Sequence, residues 1–181
     1  MIKMNNDFKI DVVSVRLVKE APILSDVKIT TPEVAVQVLG KYLCEMDREV
    51  LCVVNLKSDN TPINCTMASM GSLNQSIVSP REIFKASILS NAAYMLLIHN
   101  HPSGTLNPSK EDIQVTDRLI KLTDLMGIPL LDHIIVGGDN SEYFSMREKK
   151  LMMHEREQYE RDYNRLEFDN NVMVAEKERS R

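Results

Sequence analysis

The chain lacks any hydrophobic run approaching the roughly 20 apolar residues that cross a bilayer, so a membrane span is not expected. Its amino terminus, MIKMNNDFKI, has no apolar core of the secretory kind. Cysteine is scarce: Cys44, Cys52 and Cys65 are odd in number and without CxxC spacing. That pattern gives neither a disulfide framework nor a zinc ribbon. The three thiols read as small buried hydrophobes in a reducing compartment, and a cytoplasmic location is expected. Basic residues are in deficit, 22 against 26 acidic, for a net charge of −4. A general nucleic-acid surface would show the opposite balance. There are no repeats and no low-complexity segments. What remains is an ordinary globular composition, 43% hydrophobic and 27% charged, with length for one domain plus an extension.

Periodicity orders that domain. Residues 8–18 are β-branched and partly alternating, which predicts a strand. Thr31-Pro32 opens a helix whose stripe is Ala35, Val38, Leu39, Tyr42, Leu43 and Met46, ending near Asp47-Arg48. A buried strand follows over 50–56, with a hairpin partner over 63–68. After a polar loop over 71–78, Ser79-Pro80-Arg81-Glu82 reads as a capping box opening a short helix to Leu89. Residues 93–98 form a second buried strand. A helix from Ser109 buries Val115, Leu119, Leu122 and Met126 before Gly127 stops it. Strands over 130–136 and 143–146, joined by a turn at 137–140, complete the domain at about residue 147. The expected fold is a mixed α/β (α+β) sandwich, helices packed on a largely antiparallel sheet. From 148 to 181 charges of both signs crowd together, and a solvated helix with a frayed tail is expected. A partner-binding helix through Leu151, Met152, Tyr159, Tyr163 and Leu166 is the other reading, and His154 is read as exposed.

The chain is organised around residues 99–112, HNHPSGTLNPSKED. Alternate strand residues face the same way, so His99 and His101 project together from the end of the 93–98 strand, while Asn100 faces away. Pro102 and Gly104 turn the chain. Ser109 is placed as a helix N-cap with Asp112 in the first turn. Separately, histidines at a strand end are ordinary polar residues, and Asp112 is a capping acid. Together they bring two imidazoles and a carboxylate to one point with a fourth position open, as catalytic zinc is held. Asp132-His133 interrupts a buried strand; His133 is read as a hydrogen-bonded core residue outside the ligand set, or one of a supporting pair.

The order His-x-His-Pro, six residues, Ser, two residues, Asp resembles the JAMM motif of the JAB/MPN metalloprotease fold. HNHPSG, GSLN at 71–74, SPREIF at 79–84 and LLDHIIVG at 130–137 resemble the RadC family of bacterial proteins. The likeness covers roughly residues 10 to 147. It implies the JAB/MPN, cytidine-deaminase-like architecture, with His99, His101 and Asp112 as zinc ligands. Full-length RadC proteins carry a further N-terminal helical region. About thirty residues precede the first helix, too few for it, so that region is expected to be absent.

The resemblance further implies a zinc-dependent peptidase or isopeptidase, in which a glutamate takes the proton from the zinc's water and hands it to the leaving nitrogen. Glu49, at a strand start just after a helix, stands in the corresponding setting. Its bland reading is a solvent-facing acid paired with Arg48 or Lys41, and Glu45 and Glu82 are weaker contenders. Ser109 would add an oxyanion donor to its capping role. The substrate is expected to be a peptide or protein. The alternative is a non-proteolytic, metal-stabilised module acting with DNA-repair or recombination proteins. A nuclease calls for more acidic ligands and ranks last. A cytidine deaminase fails for want of a downstream PCxxC.

Overall fold

The computed structural model describes residues 14, 16–18, 27–71 and 78–152. Most of the strand expected over 8–18 lies outside them, as do residues 72–74 of GSLN and nearly all of the helix expected over 148–181. The start of that last segment, residues 148–150, forms a turn, with Lys150 left-handed at φ 57°.

Among the described residues five strands form one sheet: β1 (Val50–Leu56), β2 (Pro62–Met70), β3 (Tyr94–His101), β4 (Leu130–Gly137) and β5 (Tyr143–Ser145), in the order β2-β1-β3-β4-β5. Of these pairings β3–β4 is parallel and the other three antiparallel, and α4 (Lys110–Met126) supplies the parallel crossover. The first helical run is α1 (Pro32–Ala35) and α2 (Lys41–Cys44), joined by a π-helical segment, Val36–Gly40. α3 (Pro80–Leu89) follows β2.

The core is split by the sheet. Ala35, Val36, Leu39 and Leu43 pack on Val50, Cys52, Val54, Leu96, Ile98 and Ile134. On the other face Ile83, Phe84, Val115 and Leu119 pack on Leu51, Val53, Met95 and Leu97. Helices on both faces explain why β1 and β3 read as continuous apolar runs rather than alternating ones. The expected α/β sandwich with a largely antiparallel sheet is what the chain forms, consistent with a JAB/MPN architecture. Of the cysteines, Cys52 is buried and Cys44 and Cys65 are half-buried, all three free. Among the described residues no helix is long and apolar enough to cross a membrane.

Three expected details differ. Met126, expected in the buried stripe of α4, is exposed in its last turn. The Ser79–Glu82 capping box does not form: Ser79 makes no side-chain cap, and both Glu82 oxygens accept from Lys85 Nζ at 2.8–2.9 Å. A cation one turn on competes for the same carboxylate. The strand expected over 93–98 runs on to His101, so the histidines are part of the ladder rather than beyond it.

Candidate metal centre

His99 and His101 are buried on the α4 side of β3, and α4 begins with Asp112 in its first turn. The loop between strand and helix brings the three groups together. His99 Nε2 stands 3.0 Å from His101 Nε2 and 3.3 Å from Asp112 Oδ1, and His101 Nε2 stands 3.5 Å from Asp112 Oδ2. One donor atom from each residue falls within 4.8 Å of the others. Ligands held at about 2.0–2.2 Å by a tetrahedral ion lie about 3.3–3.6 Å from one another; the His99–Asp112 Oδ1 spacing falls in that range, and the two Nε2 atoms stand slightly closer.

Asp112 does two jobs with two oxygens. Oδ2 accepts from Ser109 N at 2.7 Å and from Ser109 Oγ at 2.7 Å, while Asp112 N donates to Ser109 Oγ at 3.1 Å. This is the reciprocal cap expected of the sequence. Oδ1 is buried and has no hydrogen-bond partner. Leaving a buried acceptor unpaired costs about 1–3 kcal/mol, more for a charged one. A cation on Oδ1 removes that cost, so the donor set fits a metal. The capping and ligand readings of Asp112 are therefore compatible.

Hydrogen bonding also aims the rings. His101 Nδ1 lies 2.6 Å from the Thr105 carbonyl, which can only accept, so Nδ1 carries the hydrogen and Nε2 of the neutral ring keeps its lone pair. His99 Nδ1 lies 2.8 Å from His133 Nε2. Two bare Nε2 atoms 3.0 Å apart repel unless a cation or a proton lies with them. Electrostatics agree. The Asp112 carboxylate raises the pKa of His101 against the opposing effect of burial, and the field of Glu49 adds to it. Burial, then neighbouring His133, holds His99 well below the usual histidine range. Burial also opposes ionisation of Asp112, but His101, His99 and Ser109 together keep its carboxyl far below the ordinary carboxylate range.

Glu49 lies immediately before β1, half-buried, near enough for its charge to act on His101. The neighbouring Arg48 guanidinium is bidentate to Asp47 at 2.8 and 2.9 Å. Asn100, between the two histidines, binds main chain on either side of Glu49. Glu82 faces Lys85, and Glu45 is exposed at the C-cap of α2.

His133, expected as a hydrogen-bonded core residue outside the ligand set, and Thr116, which sequence reasoning missed, also meet at this point. His133 is fully buried, pushed down to about 4 by burial, and its Nδ1 lies 2.6 Å from Thr116 Oγ1. Asp132 does not pair with the His133 ring; its Oδ1 accepts from His133 N and Arg147 N, and its Oδ2 from Ser145 Oγ. The polar Asp-His interruption of an apolar strand was the signal for His133; nothing local marked Thr116.

Residues 29–151 match the family model described as a RadC-like JAB domain. A UPF0758 protein of Clostridium beijerinckii is 42% identical over 128 residues, 71% of this chain and 55% of its own length. One from Clostridium acetobutylicum is 44% identical over 126 residues, covering 70% and 54%. One from Caldanaerobacter subterraneus is 42% identical over 121 residues, covering 67% and 51%. The chain thus spans about half the length of the curated relatives it matches. By the extent of that match and the domain it covers, the chain belongs to the RadC-like JAB domain family.

Proposed function

We propose that the chain is a zinc-dependent hydrolase of the JAMM type, cleaving a peptide or isopeptide bond. The observation that carries this reading is the buried His99–His101–Asp112 group, with both Nε2 lone pairs and an unpartnered Oδ1 turned to one point. Three nitrogen and oxygen ligands with a position open suit zinc in a catalytic role. Bound there, zinc would supply a Lewis acid and lower the pKa of water from about 15.7 to about 7.

The chain's own groups would do the rest. Glu49 accepts a proton from the attacking water and returns it to the leaving nitrogen, a role worth about 10²–10⁴-fold. Ser109 spends its hydroxyl proton on Asp112 Oδ2, so donating to an oxyanion would require that hydroxyl to turn. Asp112 Oδ2 keeps the Ser109 N–H if it does. A reducing, cytoplasmic setting suits the free cysteines. The net charge of −4 does not favour nucleic acid as substrate.

Elemental analysis of the purified protein should find about one zinc per chain, with His101→Ala and Asp112→Ala largely empty. Glu49→Gln should keep the metal and lose cleavage of a peptide and isopeptide library. A full zinc complement in His101→Ala refutes the ligand set, and retained turnover in Glu49→Gln removes the base.

A further inference from the structure

We propose that His133 and Thr116 are positioning residues that set the tautomer of His99, so that its Nε2 lone pair faces the ion. The inference rests on the metal reading above and concerns what stands behind the ligands. A neutral imidazole carries one ring hydrogen, and only the nitrogen without it can bind a metal. For His99 to bind through Nε2, Nδ1 must hold the hydrogen and find an acceptor.

That acceptor is unusual. Metal-bound histidines commonly donate to a carboxylate, a carbonyl or water. His101 follows the rule through the Thr105 carbonyl. The partner of His99 Nδ1 is another imidazole, His133 Nε2 at 2.8 Å, itself capable of donating or accepting. An imidazole pair has two polarities, and in one of them His99 Nε2 is protonated and useless as a ligand.

Thr116 selects between them. Its Oγ1 lies 2.7 Å from the Asp112 carbonyl, one helical turn back, and 2.6 Å from His133 Nδ1. A carbonyl can only accept, so the single hydroxyl hydrogen goes to Asp112 O, in the helical i−4 pattern open to threonine. Met146 Sδ at 3.3 Å is a far weaker competitor. Toward His133 the hydroxyl must then accept, so His133 Nδ1 carries the hydrogen and its Nε2 is bare. His99 Nδ1–H donates to that nitrogen, and His99 Nε2 is left free. Reversed, the chain would set the Thr116 and Asp112 oxygens lone pair to lone pair at 2.7 Å. One residue, Asp112, thus anchors both ends: its carboxylate lies at the ligand site and its carbonyl orients the relay.

The test is zinc affinity of the full chain at neutral pH, by competition with a chromophoric chelator, with melting curves of the metal-free proteins alongside. Thr116→Val keeps shape and removes the hydroxyl; Thr116→Ser keeps the hydroxyl; His133→Ala removes the acceptor. The expected result is a loss of affinity of about 10–100-fold in His133→Ala and a smaller loss in Thr116→Val, with Thr116→Ser close to the unchanged protein. Ring-nitrogen correlation spectra of the metal-free protein should show His99 hydrogenated at Nδ1, and both tautomers in Thr116→Val. Unchanged affinity and an unchanged His99 tautomer in Thr116→Val overturn the inference, even should His133→Ala fail to fold. If the unchanged protein takes up no zinc at all, the metal reading itself falls. Tight zinc in every one of these variants, with His101→Ala empty, sinks the relay alone.

Discussion

Asn100 holds the main chain on both sides of Glu49: its Oδ1 accepts from Val50 N at 2.8 Å and its Nδ2 donates to the Arg48 carbonyl at 3.0 Å. The β1–β3 register ends at Leu51 opposite His99, so beyond it this amide replaces the ladder. A residue turned away from the histidines thereby ties the glutamate's backbone to the strand that carries them.

Asn100→Ala should consequently separate base from metal. Cleavage is expected to fall by about 10²-fold, the scale of a misplacement near 1 Å. Zinc affinity should change little, because neither imidazole is touched. Parallel measurements of turnover and chelator competition decide it; an equal loss in both would place Asn100 in support of the ligands instead.

Zinc binding should weaken on the acid side. Asp112, with Glu49, raises His101 above the ordinary histidine value of 6.5, and the protonated ring cannot ligate. In the pH range below that raised value a proton holds the position the metal needs, so affinity falls as pH falls through it. Chelator competition across about pH 5 to 8, the window in which histidine titrates, reads the effect. An affinity flat across that span would contradict the assignment of His101.

Ser109→Ala should cost stability as well as affinity. The cap on α4 is lost, worth about 0.5–2 kcal/mol, and Asp112 loses one of the two hydrogen bonds that orient it. Denaturant unfolding of the metal-free protein isolates the first effect. Ser109→Thr, which keeps the hydroxyl, should restore most of it.

The loop after the histidines is seated by a close approach of two glycines. A Cβ on Gly137 would lie 3.1 Å from Gly104 Cα and carbonyl carbon. Gly137→Ala must push that loop, and with it the Thr105 carbonyl that fixes His101. A destabilisation of about 1–3 kcal/mol is expected, accompanied by weaker zinc binding. Gly127→Ala is the control: Gly127 is left-handed at φ 67° with open space around it, so stability should fall by about 1–2 kcal/mol with zinc binding unaltered. Equal zinc affinity in both variants would show that the loop does not bear on the site.

Much of this was legible without coordinates, wherever the governing physics is local. The two-residue period of a strand put His99 and His101 on one face, and capping chemistry placed Ser109 against Asp112. Long apolar runs marked β1 and β3 as buried on both sides. Local reasoning failed where a second partner competed, as Lys85 did for Glu82. It also failed where polar side chains substitute for main chain, as Asn100 does for the ladder.

The amino-acid sequence by itself determined the elements, the side-chain types that cluster and the turn of helix that brings Asp112 forward, because spacing of a few residues decides each of these. Only the tertiary structure decided which nitrogen each imidazole presents. That choice depends on His133 meeting His99 across the parallel β3–β4 pairing and on Thr116 meeting His133 from α4, contacts set by sheet register and helix packing. Groups 17 and 34 residues apart share hydrogens there, and no pattern along the chain encodes which of them donates.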